Sequence, residues 1–236
     1  MTAARIGTWG AIAGSAAVVI APLGYRIGVA PLGLAFALLA LGFLVLVVGA
    51  LLLLVAALRR RVSPGTERLA YGALAAAIIV SLFPLSALIS GGGAPPIHDI
   101  TTDTENPPQF VAAVALNTPG RTDYDGEAIA EQQRAAYPDI RPVTLPVDTG
   151  VAFDRALAAV EGMGWQLLEA DATAGRIEAT DRTFWFGFAD DVVIRLTNSG
   201  DGGSRVDVRS QSRVGGGDLG ANANRVREFL AVLTDE

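Results

Sequence analysis

Residues 165–214 read "WQLLEADATAGRIEATDRTFWFGFADDVVIRLTNSGDGGSRVDVRSQSRV". Four strand-like runs lie here: "WQLLEAD", "GRIEATDRTFWF", "DDVVIRLT" and "SRVDVRSQSRV". Turn residues separate them, including Gly175, Ala189-Asp190 and "NSGDGG". Connections this short join antiparallel neighbours, so the stretch predicts a meander and excludes a parallel sheet. In the last run Arg205, Asp207, Arg209, Gln211 and Arg213 alternate with Val206, Val208, Ser210 and Ser212. Strand period two puts these sets on opposite faces. One face is apolar or small and suits packing; the other carries Arg, Glu, Asp and Thr.

Helical patterns flank the meander. "DTGVAFDRALAAVEGMG" (148–164) opens on Asp and Thr, spaces Phe153, Leu157 and Val160 helically, and stops on glycine. A final helix is predicted from Asp218, with Leu219, Ala223, Val226, Leu230 and Leu233 on one stripe. The expected fold is α+β: a four-strand antiparallel sheet carrying two helices on one face, similar to helix-grip folds. Upstream, "FVAAVAL" (110–116) reads as a short strand, "GEAIAEQQRAA" (126–136) as a helix, and "RPVTLPV" (141–147) as an edge strand.

The first third has a different composition. Residues 1–93 carry six Arg and one acid, a net charge of +5; the remainder carries 12 Arg and 23 acids, a net charge of −11. Three apolar blocks, about 7–25, 32–58 and 69–90, approach or exceed the roughly 20 residues of a spanning helix. The chain therefore divides into a membrane anchor (1–91), a linker (92–97) and an α+β domain (98–236). The first block runs to nearly full spanning length and lacks a clear cleavage site, so it is expected to be retained. "RRRVSPGTER" between the second and third blocks holds four Arg and one acid. Positive loops stay cytoplasmic. That places the N-terminus in the cytoplasm and the acidic domain outside it, at a bacterial inner membrane.

Composition also excludes chemistry. The chain has no Cys, one His and no Lys, which removes thiolate and Schiff-base catalysis and any His-cluster metal centre. A domain of net charge −11 disfavours nucleic acid. No cofactor is expected. "GGGDLG" (215–220) matches a dinucleotide pattern in letters, but that pattern needs a parallel βαβ unit. Asp218 reads instead as a helix cap. Asp190 and Asp191 are adjacent on a strand and point to opposite faces, so they do not form an acid/base pair.

"IHDITTD", "YPDI", "GRIEAT", "DDVVIR", "DVRSQSRVG" and "DLGANANRVREFL" occur in this order. Over residues 95–236 they resemble the bacterial family catalogued as domain of unknown function 1499, whose relatives often carry a similar anchor. The resemblance implies a domain boundary and no catalytic residue. Gly217 stands where the family pattern has Ser.

Two functional readings follow. The first is a non-enzymatic binding or scaffolding domain whose partners are the lipid bilayer and another envelope protein. Its ligand or partner surface would be Arg195, Arg209, Arg213, Glu178 and Asp207. The second is an envelope hydrolase using His98 with a nearby Asp. "PPIHDITTDTENPPQF" (95–110) bears on both. It holds the lone His, and its prolines favour an extended path. It reads as a strap in which Asp99 or Asp103 meets Arg195, Arg209 or Arg213 and His98 bonds to the domain.

Overall fold

The computed structural model describes residues 2–116 and 122–234, apart from the side chains of residues 87, 88 and 90. The chain divides into two compact units, Met1–Ser90 with Phe184–Phe186, and Gly91–Thr183 with Gly187–Glu236.

The first unit holds three helices, α1 (Thr2–Arg26), α2 (Leu32–Leu58) and α3 (Glu67–Ser90). All three are long and apolar enough to cross a membrane, α3 over Glu67–Ser86. The Gly and Ala content of α1 has a packing role. A Cβ on Gly14 would stand 2.3 Å from the Leu46 backbone nitrogen, and one on Gly49 would stand 2.4 Å from that of Ala11. A Cβ on Gly7 would lie 2.7 Å from the Leu53 nitrogen. In lipid, where no hydrophobic force draws helices together, such close backbone approach supplies the van der Waals contact that holds them. The aromatic trio Phe184–Phe186 groups with this unit.

The second unit runs β1 (Asp99–Thr101), a 3-10 turn (Ala113–Leu116), α4 (Glu127–Ala136), β2 (Val143–Leu145), α5 (Thr149–Gly162), β3 (Gln166–Asp171), β4 (Arg176–Arg182), β5 (Ala189–Asn198), β6 (Ser204–Ser212) and α6 (Ala221–Thr234). The sheet order is β1-β6-β5-β4-β3, with β2 also on β6, and every pairing is antiparallel. The meander is thus the centre of a six-stranded sheet. β1 and β2 share its β6 side, at residues 209–211 and 204–206.

Ile177, Ala179, Val192, Ile194, Leu196, Val206 and Val208 form one face of the sheet and join one buried core with α5 and α6. From the helices come Phe153, Ala156 and Val160, and Ala223, Val226, Phe229 and Leu233. The Trp165 and Phe229 rings stack at 5.6 Å. Asp148 starts α5 by accepting from the Gly150 and Val151 amides, which satisfies donors the first turn leaves open.

Two sequence expectations are corrected. Residues 110–116 form no strand; 113–116 are a 3-10 turn, for a reason that lies in Glu178, described below. Leu219 lies outside the last helix, at φ 56° and 55% exposed. The helix starts at Ala221 because the Asp218 carboxylate accepts from the Gly220 and Asn222 amides at 2.8 and 2.7 Å.

A side chain finishes the β1 edge. The Gln133 carboxamide on α4 donates to the Thr101 carbonyl at 2.6 Å and accepts from the Thr101 amide at 2.9 Å. It stands where a next strand would pair, and so closes an edge that would otherwise recruit another chain.

The glycine packing makes a prediction. Gly14→Leu should lower the stability of the helix unit by at least about 1–3 kcal/mol, since overpacking a close contact forces the backbones apart. Gly33→Leu, where a Cβ meets nothing within 4 Å, should leave it unchanged. The fraction of SDS that unfolds each full-length variant in mixed micelles checks this.

Candidate functional site

The charged face of the sheet is covered. Its centre is Arg209 on β6, whose side chain is 0% exposed and meets an equally buried Asp99. Arg209 Nε donates to Asp99 Oδ1 at 2.9 Å and its Nη2 donates to Oδ2 at 2.8 Å. The remaining donors reach the Pro108 carbonyl at 3.2 Å and the Thr122 carbonyl at 2.9 Å. The Phe110 and Tyr124 rings lie 4.9 and 5.4 Å from the guanidinium carbon. Desolvating a cation is costly unless it is paired and its donors are used. The planar guanidinium fork suits both demands at once. Gln211 Nε2 adds a third donor to Asp99, at 3.0 Å on Oδ2. Burial pushes the Asp99 carboxyl above its ordinary range, against the pull of Arg209. Burial, with the Asp99 charge beside it, pushes the Tyr124 hydroxyl up to about 12.

The rest of the covering segment is held by carboxylates on both sides. Asp103 accepts from Arg195 at 3.2 Å and Arg205 at 2.8 Å, and the same two guanidinium groups reach Asp207 at 2.9 and 3.0 Å. Glu178 on β4 works differently. Its carboxylate accepts from three successive amides, Val111 and Ala112 at 2.8 and 3.1 Å on one oxygen and Ala113 at 3.0 Å on the other. Three neighbouring N–H groups converge on one carboxylate only when the backbone turns, as at a helix start. This is why the apolar run 110–116 leaves the strand conformation. Phe110 and Ala113 then pack on Val193 of β5. At the far side, Arg213 meets Asp191 at 2.7 Å, and Thr180 bonds to the same carboxylate at 2.7 Å.

Of the five residues expected to form a ligand or partner surface, Glu178, Asp207 and Arg209 are buried at 0–1% exposure. Arg195 and Arg213 keep 24% and 18% of their side chains exposed. The alternation puts all five on one face, but three of them are beneath residues 99–113 and 122–124. His98 is 7% exposed. Its main-chain carbonyl accepts from the Ser212 amide at 2.9 Å and from Asn222 Nδ2 at 3.0 Å. Among the described residues no three His, Asp or Glu side chains are grouped to hold a metal ion.

A second polar cluster lies on the helix side. Asn222, at the start of α6 and fully buried, accepts from Ser210 at 2.6 Å and Arg225 at 2.6 Å, and donates to Ser212 at 2.9 Å. Arg225 continues to Asp190 at 2.7 Å and Asp181 at 2.9 Å. Burial pushes the Asp190 carboxyl up, opposed by the Arg225 charge. Asp190 and Asp191 therefore serve opposite faces, each matched to its own Arg. Sequence reasoning missed Asn222 and Arg225. The available signal was a polar pair three residues apart on the helix side facing Ser210 and Ser212.

The family model for a protein of unknown function, DUF1499, matches residues 99–233. That span includes Asp99, Glu178, Arg209 and the Asn222 cluster. No curated protein matches the chain.

The Arg209 geometry predicts an asymmetric mutational response. Asp99→Ala or Arg209→Ala alone should each destabilise the second unit by about 3–5 kcal/mol, because each strands a buried partner. The double substitution should cost less than the sum of the two. Asp103→Ala, at partly exposed pairs, should cost about 1 kcal/mol or less. Denaturant unfolding of the four variants, followed by near-ultraviolet circular dichroism, measures the coupling.

Proposed function

The chain belongs to the DUF1499 family of unknown function, and from that premise we propose that it is a bacterial inner-membrane protein presenting an extracytoplasmic, non-enzymatic binding domain. Its three helices are long and apolar enough to span the bilayer. The orientation follows from charge. Arg59, Arg60, Arg61 and Arg68 flank a short loop between α2 and α3, which favours a cytoplasmic position for that loop. α3 then leads outward, and the acidic domain follows it.

One observation carries the binding reading: a covering segment locked on one side and apolar on the other. Beneath it, the charged groups of the sheet face are matched to one another or to backbone groups. Catalytic groups, by contrast, are typically held at perturbed protonation in an accessible cleft. On its outer side, Val111, Val114 and Leu116 are 54%, 49% and 52% exposed. Three apolar side chains on a turn whose first amides are held by a buried carboxylate suit a docking ridge for another envelope protein. Preorganisation of this kind lowers the entropic cost of association.

Site-specific photocrosslinking at Val114 in native membranes tests the proposal. The expected result is a discrete protein adduct, weakened severalfold by Glu178→Gln, which loosens the turn without touching the ridge. Adducts to lipid alone, or an adduct indifferent to Glu178→Gln, would contradict it. The orientation has its own check. A reporter active only after export should work at the C-terminus, and a cytoplasm-only reporter should fail there.

A further inference from the structure

We propose that the helix unit holds one anionic phospholipid on the open face at the start of α1. That face is lined by Thr2, Arg5, Ile6, Trp9, Gly10 and Ala13. These residues supply the parts a lipid needs in the order a lipid presents them. Arg5 offers a guanidinium to a phosphate. Trp9, 61% exposed, has the amphipathic ring favoured at the level of the headgroups. Gly10 and Ala13 follow along the helix with little side chain, leaving room for an acyl chain. Ile6, 58% exposed, adds an apolar flank.

Charge selects the class of lipid. α1 and α2 are antiparallel: Gly7 lies against Leu53, and Gly14 against Leu46. Arg5 is therefore level with about residue 55, roughly one helical turn from Arg59. Arg59, Arg60, Arg61 and Arg68 are exposed at that same end, and Glu67 is the sole acid in residues 1–93. The ion pairs found among the described residues all lie in the second unit, so no carboxylate there neutralises Arg5. A zwitterionic headgroup would bring its own cation into this cluster; an anionic one brings only the phosphate charge. Arg5 makes the site specific because it stands on the same α1 face as Trp9, Gly10 and Ala13, while the loop arginines contribute a diffuse field that falls off with distance.

Native mass spectrometry of the full chain, released from mild detergent with equimolar phosphatidylglycerol and phosphatidylcholine, tests this. One phosphatidylglycerol should be retained in preference by about fivefold, the discrimination one basic residue near a membrane surface supplies. Arg5→Gln should bring the preference close to one, and Arg5→Lys should keep most of it. Both variants are expected to retain the native helical circular dichroism, since Arg5 is exposed beside the α1–α2 contact. Equal retention of both lipids by the native chain would overturn the proposal. So would a preference lost in the Arg59→Gln, Arg60→Gln, Arg61→Gln variant but kept in Arg5→Gln, because the loop field would then be the cause. Displacement of the lipid by a large excess of inorganic phosphate would also overturn it, by assigning the site to the free anion.

Discussion

The second unit depends on one guanidinium that water does not reach. Arg209 sits mid-strand on β6 with its whole side chain enclosed. Everything around it is arranged to keep it from being an unpaired buried charge. Asp99 supplies both carboxylate oxygens, Pro108 and Thr122 supply carbonyls, and Phe110 and Tyr124 supply ring faces. These partners come from residues 99–110 and 122–124. The ion pair thus sets where the chain from Asp99 to Phe110 goes. It fixes β1 against β6 at one end and places Phe110 on Val193 farther along. A buried pair of this kind is weak evidence for extra stability against an apolar alternative, but strong evidence for a specified path, because most other paths would strand a charge.

The same logic recurs on the helix side of the sheet and inside the three-helix unit, with different groups. Asn222 and Arg225 tie α6 to Ser210, Ser212 and Asp190, so the last helix docks in a register that the apolar stripe alone would not select. Networks like this rigidify when every member is satisfied. Between α1 and α2 the constraint is steric. Glycine at positions 14 and 49 admits backbone where any Cβ would collide. In each case specificity comes from what would be unsatisfied or overlapped elsewhere, and the apolar burial supplies the bulk of the driving force.

Much of the fold was legible because it follows from periodicity. The meander, its antiparallel order, both long helices of the domain and the three apolar spans all rest on local patterns of two or 3.6 residues. The alternation also separated the two faces of β6 correctly. What local pattern does not carry is how far a residue is covered. The face holding Arg209 and Glu178 has a surface composition, and only a segment some hundred residues earlier in the chain turns it into an interior. The run 110–116 failed for the same reason: its β-like composition loses to three hydrogen bonds that the Val111, Ala112 and Ala113 amides donate to Glu178, 65 residues from Ala113. β1 is three residues long, too short to show a period. Leu219 looked like part of the α6 stripe, and its position was decided by the adjacent Asp218 cap. His98 drew attention by being unique, yet the bonds it makes to Ser212 and Asn222 run through its main-chain carbonyl, which no side-chain motif would reveal.

The central claim is that Arg209 and Asp99 hold the segment 99–116 on the sheet. Amide hydrogen exchange of the Asp99→Asn variant under native conditions tests it most directly. Asparagine keeps the shape and removes the charge. The account predicts that the amides of Thr101, Thr102 and residues 111–113 exchange much faster in the variant, while those of β4 and β5 paired to each other stay protected until global unfolding. Unchanged protection of 101–113 in a folded Asp99→Asn protein would contradict it, since the segment would then be held by something other than this pair.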